Sequence, residues 1–339
     1  MKAMIINAVV SVDTCNQPLQ CVDVPIPEPG EREIRIEVSH CGVCHTELDE
    51  IEGRSTPPLL PVIPGHEVVG RVDSAGRLAT RFRPGDRVGV GWIHSSDGSE
   101  QENLSPDFRA TGRDINGGYA EYMTIGEDYA YLIPEQFSDA EAAPLLCAGA
   151  IGYRALRLCD FSDGQRLGLT GFGGSAHIVL QLARHLYPHS RVYVFARDES
   201  SRRFATELGA DWVGDTQARA PAALDAIIDT TPAWTPVVAA LENLAPGGRL
   251  VINAIRKEDA DKSALNTLSY HEHLWMEREI KSVANITRRD ISEFLPLAAE
   301  IPIQPRVHVY SLSDANQALV SLKRAPVRGA KVLRIQSSP

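Results

Sequence analysis

The stretch "RLGLTGFGGSAHIVLQLARHL", residues 166–186, constrains the fold of this chain more than any other. It reads as an apolar strand, a glycine-rich turn and an amphipathic helix. Gly171, Gly173 and Gly174 form G-x-G-G, with Ala176 near the place where a third glycine usually stands. Residues without side chains let the backbone approach a pyrophosphate, and the helix N-terminus then supplies N–H donors and a favourable dipole. A lone glycine motif is weak. Here a strand precedes it, a helix follows, and a second strand, "RVYVFAR", arrives where a dinucleotide fold requires one. A tight strand–helix turn with no ligand is the weaker alternative.

The alternation continues through "ADWVGD", "AIIDTT", "RLVINA" and "EIKSVA", each separated by helical patterns. Alternating strands and helices predict a parallel, doubly wound α/β sheet. Before Pro144 the character differs: short alternating runs such as "EIRIEV" and "EVVGRV" lie between Pro- and Gly-rich turns. That reads as a barrel-like β domain. From about Arg289 a helix, a strand, a helix and a last strand return to it. The expected division is therefore 1–147 with 289–339 around 148–288, and 339 residues suit two domains.

A net charge of −10 with no dominant basic patch speaks against a nucleic-acid or anionic-membrane partner. No apolar run reaches membrane-spanning length, and the N-terminus lacks a signal-peptide core before Asp13. A soluble, cytoplasmic protein acting on a small molecule is the expectation.

The second strand of the nucleotide domain ends near Ala196, where an acid would bind the ribose hydroxyls of NAD. Arg197 follows at once, and Arg202 and Arg203 a turn later. Guanidinium groups in place of the acid suit a 2′-phosphate, so NADP(H) is favoured over NAD(H). Asp198 could still reach a ribose, and the arginines could form a solvated helix face.

A second stretch, "CGVCHTELDE", residues 41–50, admits four readings: a haem-attachment signature, a redox dithiol, half a zinc finger, or one strut of a dispersed metal site. Six cysteines in so long a chain make no disulfide scaffold. "VIPGHEVVGRV" adds His66 and Glu67, and "APLLCAGAIGY" adds Cys147 at the expected domain junction. The spacings Cys44–His66–Cys147 are too wide for a zinc finger. Two thiolates, an imidazole and one open position make a catalytic zinc site. Zinc there lowers the pKa of a bound hydroxyl, and a nicotinamide can accept the hydride.

Together "CGVCHTELD", "PGHEVVGRV", "GDRVGVGW", "GGYAEY", "PLLCAGAIGYRAL", "GFGGSAH", "ELGAD" and the terminal "VRGAKVL" resemble the zinc-dependent medium-chain alcohol dehydrogenases, in particular their cinnamyl-alcohol-dehydrogenase-like branch. The resemblance covers essentially the whole chain. It implies a GroES-like catalytic domain wrapped around a Rossmann domain, and homo-oligomers, dimeric or tetrameric. It implies Cys44, His66 and Cys147 as ligands of one catalytic zinc, and Glu67 as a carboxylate that approaches the metal during ligand exchange. By the same resemblance Thr46 bonds the substrate oxygen and passes its proton outward. His45 and Arg328 contact the cofactor pyrophosphate, and Trp92 narrows the substrate pocket. The implied reaction interconverts a primary alcohol and its aldehyde through a zinc-bound alkoxide. A zinc-free quinone or enoyl reductase, a non-catalytic NADPH sensor and a Cys41–Cys44 redox switch are the competing readings.

Two departures from the family matter. The segment from Gly91 to Tyr122 has no cysteine, where many relatives hold a structural zinc with four. No structural zinc is expected, and other contacts must hold that lobe unless it is mobile. Asp49 stands where some relatives finish a proton relay with His. It either takes part in the relay or is a surface residue. His271 and His273 in "SYHEHLW" read as solvated, and His177 as structural.

Overall fold

The computed structural model describes residues 1–301, 303–324 and 328–336. It contains two compact units: Met1–Ala150 with Asn285–Glu300 and Pro305–Pro339, and Ile151–Ala284 with Ile301–Gln304. The sequence placed the crossings at 147/148 and 288/289. The divisions fall after Ala150 and Ala284 because local bonds tie the flanking residues to the first unit. The Ala148 N–H bonds the Glu67 carboxylate, and Asn285 bonds both Trp92 and Asn103.

One long strand, Glu33–Val43, organises the first unit. Ile34, Ile36 and Val38 alternate inward along it, as period-two patterning dictates. It pairs antiparallel with Val68–Ala75 along one edge. On the other edge it pairs with Tyr122–Gly126 through its first half and with Ala330–Arg334 through its second. Register shifts at Arg35/Ile36 and Val38/His40 bend it. The sheet order is Val307–Ser311, Ala330–Arg334, Glu33–Val43, Val68–Ala75, Arg87–Val90 and Ala130–Leu132. Strands from both ends of the sequence thus share one sheet. Helix Ala315–Arg324 closes the core by burying Ala318 and Leu319 with Ile34, Ile36 and Val38.

The second unit is a six-stranded, all-parallel sheet: Trp212–Gly214, Arg191–Phe195, Arg166–Thr170, Leu224–Asp229, Leu244–Ile252 and Glu279–Ser282. Numbered by sequence within the unit, that order is 3-2-1-4-5-6, so the side on which successive strands are added switches between Arg166–Thr170 and Leu224–Asp229. Open sheets of this kind bind ligands beyond the carboxyl ends of the strands at such a switch point. Among the described residues, no helix is long and apolar enough to cross a membrane.

Candidate functional site

Strand pairing in the first unit brings the dispersed donors together. Cys41 lies opposite Val68, and one residue further the Gly42 N–H donates to the Glu67 carbonyl at 2.9 Å. Cys44, which caps helix His45–Ile51, therefore sits beside the turn carrying His66 and Glu67. The third element is helix Asp139–Ala142, opened by a capping box from Ser138 and Glu141, followed by a tight turn that delivers Cys147. Donor atoms of Cys44, His66, Glu67 and Cys147 all lie within 4.8 Å of one another.

Close approach at this point depends on a missing side chain. A Cβ on Gly42 would fall 1.7 Å from Glu67 Oε2 and 2.7 Å from Glu67 Cβ. Only glycine lets the carboxylate lie across that strand.

The electrostatics are those of a buried, charge-dense cluster. The Cys147 thiol beside Cys44 holds the Cys44 thiol well below its usual range, against the opposing effect of burial. Cys147 is displaced upward by Cys44 and by burial. Burial disfavours a charged His66 ring, yet Glu47 and Cys44 outweigh it and push its pKa up. Burial pushes Glu67 well above the usual carboxylate range. Two thiols, an imidazole and a carboxylate concentrated in the interior suit a divalent cation, because unpaired buried charge is costly and this donor set is that of zinc.

Thr46 is buried, its Oγ1 3.5 Å from Cys44 Sγ. His45 is exposed at the start of the same helix. Trp92 is 6% exposed and stands against His66, ring centroids 4.8 Å apart. Asp49 is 7% exposed, which removes the surface-residue reading. Helix His45–Ile51 turns it inward, where its carboxylate meets Arg54. Cys41 is fully buried, and burial pushes its thiol well up.

Glu47 was not singled out from the sequence. Its Oε2 accepts the Cys44 N–H at 2.7 Å. Its Oε1 lies 2.7 Å from His66 Nδ1, a charge contact outside the alignment of a hydrogen bond. A Glu three residues after a helix cap is the capping-box pattern, but Cys is not a usual cap residue, which hid the signal. Glu50, 1% exposed with neither oxygen hydrogen-bonded, was equally silent.

In the second unit, Gly171 has φ +77 and its turn packs against Thr230 and Thr231, so only glycine fits there. Gly173 and Gly174 complete the turn, and helix Ala176–Leu186 follows. His177 is fully buried, with Nδ1 2.9 Å from the Gly173 carbonyl. At the strand ends beside the turn, Asp229 accepts from Thr170 Oγ1 at 2.6 Å and pairs with Lys257.

Strand Arg191–Phe195 ends one residue before the buried Ala196, and Arg197 is exposed. Asp198 is committed as the cap of the next helix, bonding the Ser201 N–H and the hydroxyls of Ser200 and Ser201. Arg202 donates to the carbonyls of Ala196 and Arg197 at 2.6 and 3.0 Å. Arg328 is exposed in the first unit, its carbonyl 3.1 Å from His308 Nε2. His273 corrects its solvated reading: it is 1% exposed, because a π-helical turn at Tyr270–Leu274 faces it toward Ser269 and Glu242.

Residues 30–135 match the alcohol dehydrogenase GroES-like domain, and residues 174–300 match the zinc-binding dehydrogenase family. The chain is 41% identical over 329 residues to "Probable alcohol dehydrogenase AdhA" of Mycobacterium tuberculosis, covering 94% of this chain and 93% of that one. The chain belongs to the medium-chain zinc alcohol dehydrogenase family. An alcohol dehydrogenase of Geobacillus stearothermophilus is 30% identical over 96% of this chain and 98% of its own. Among solved structures, cinnamyl alcohol dehydrogenase of Sorghum bicolor superposes with a TM-score of 0.82 at 26% identity, over 98% of this chain and 97% of that one. The fold is accordingly a GroES-like domain with a Rossmann domain, and the protein is an alcohol dehydrogenase.

Proposed function

We propose that this alcohol dehydrogenase holds one zinc ion per chain and interconverts a primary alcohol and its aldehyde with NADP(H), working chiefly as an aldehyde reductase. The four-donor cluster of Cys44, His66, Glu67 and Cys147 carries the reading. Cys44, His66 and Cys147 would hold the ion, with the Glu67 carboxylate beside them as a further donor. When bound, zinc supplies Lewis acidity toward the substrate oxygen, and nicotinamide gives or takes the hydride.

The protein's own groups do the remaining work. Glu47 lies 2.7 Å from His66 Nδ1 and occupies that side of the ring, which leaves Nε2 as the nitrogen that would hold the ion. Thr46, beside Cys44, accepts and relays the substrate proton through its hydroxyl. Trp92 covers His66 and excludes water from that side. The Gly171–Gly174 turn and the helix after it take the pyrophosphate.

Cofactor choice rests on what surrounds Ala196. Asp198 is spent on a helix cap, and Arg197 reaches solvent. That pattern favours a 2′-phosphate.

Elemental analysis of the purified chain, paired with turnover of an aromatic aldehyde by NADPH and by NADH, tests both parts. About one zinc per chain and faster NADPH oxidation are expected. A zinc-free protein that turns over unimpaired would overthrow the metal assignment, and equal or faster NADH oxidation the cofactor assignment.

A further inference from the structure

Three neighbours pack around His66: Glu47 at Nδ1, Cys147 at 3.2 Å from Nε2, and Trp92, whose ring centroid is 4.8 Å away with the two ring planes at 74°. A buried indole needs an acceptor for its N–H. For Trp92 that acceptor is Asn285 Oδ1, 3.1 Å away.

The same carboxamide donates from Nδ2 to the Asn103 carbonyl at 2.9 Å. Its orientation follows from its partners, because an indole N–H only donates and a carbonyl only accepts. Asn103 lies in the short turn Glu102–Leu104 of the cysteine-free lobe. Glu102, next to it, accepts from Arg288 through both the backbone N–H at 2.6 Å and Nε at 3.0 Å. The segment Asn285–Arg288 thus grips the lobe at two adjacent residues and Trp92 at a third point. Asn285 itself has φ +54, a conformation that Asn tolerates better than most residues.

We propose that Asn285 is a positioning residue of the metal centre, holding His66 in register with Cys44 and Cys147 through Trp92, with the lobe as its anchor. The inference rests on the zinc reading above. It assigns the cysteine-free lobe a task toward the metal site without a metal of its own.

The test uses the full chain loaded with cobalt(II), whose absorption reports ligand geometry. Three variants are compared with wild type: Asn285→Gly, which keeps the left-handed backbone, Trp92→Phe, which removes only the indole N–H and part of the ring, and the double variant. Each single variant is expected to alter the cobalt spectrum and to lose metal to a chelator about tenfold faster. The double variant should be no worse than the more severe single one, since both remove the same contact. Wild-type spectra and release rates in folded single variants, or full additivity in the double, overturn the inference. Should Asn285→Gly not fold, Trp92→Phe alone decides by the same two readouts. A wild-type chain that takes up no cobalt fails differently, since it overturns the metal reading itself.

Discussion

Replacing Glu102 by alanine tests what fastens the cysteine-free lobe. The side chain is 3% exposed and accepts from the Arg288 N–H, Arg288 Nε and Ser96 Oγ, the last at 2.8 Å. Removing one partner of a buried ion pair costs about 3–5 kcal/mol. Two features lower that figure here. The Arg288 side chain is 31% exposed, so water can rehydrate it, and it keeps its bond to the Gly98 carbonyl and its place over the Tyr129 ring. Three bonds to a charged acceptor are lost, each contributing at least about 1.5 kcal/mol before rehydration. About 2–4 kcal/mol is the expected net loss for Glu102→Ala. Urea unfolding followed by far-UV circular dichroism measures it, with and without a chelator. The midpoint should fall with little change in slope, and limited proteolysis should first cut between residues 96 and 104. Most of the loss should persist in the chelator, because the fastening itself is an ion pair. A destabilisation below about 0.5 kcal/mol, the size of an ordinary surface substitution, would refute the argument. So would a loss that vanishes on chelation.

Gly42→Ala should displace the Glu67 carboxylate, because the new Cβ would lie 1.7 Å from Oε2; metal content well below that of wild type is expected, and normal zinc with normal turnover would contradict the packing argument. Arg197→Glu should shift the ratio of kcat/KM for NADPH over NADH downward by at least about tenfold, the scale of one charge-assisted contact; an unchanged ratio would remove Arg197 from cofactor selection. Lys331 is buried by strand pairing, its Nζ bonding the Ala318 carbonyl and Ser321 Oγ, and burial pushes its pKa down to about 8 from 10.5. Between those values the unfolded chain binds the proton and the folded one does not, so wild type gains stability as pH rises through this window. Urea midpoints of wild type should therefore rise relative to Lys331→Met between about pH 7.5 and 9.5, and a constant difference would show that Lys331 does not titrate there.

The parts of the protein that could be read from the sequence are those whose chemistry or geometry is local. The glycine turn was legible because strand, turn and helix are contiguous, and Gly171 bears a backbone conformation that other residues rarely adopt. Cys44, His66 and Cys147 were legible because thiols and imidazole are rare enough to be noticed far apart, even though only the pairing of Glu33–Val43 with Val68–Ala75 brings the first two together. The supporting contacts carry no such mark. Trp92 and Asn285 are 193 residues apart, and Glu102 and Arg288 are 186 apart. Each is an ordinary residue whose partner is chosen by tertiary packing, and no periodicity or spacing reports it. His273 failed for the related reason that a polar stretch does not report the π-helical turn that faces it toward Ser269 and Glu242. The same distinction explains how a lobe without cysteines can be held in place. A structural zinc draws four ligands from one short segment, whereas the Glu102–Arg288 pair borrows its second half from the segment that also carries Asn285. Fastening the lobe and positioning Trp92 then become one structural problem, and a substitution in either half should be felt at His66.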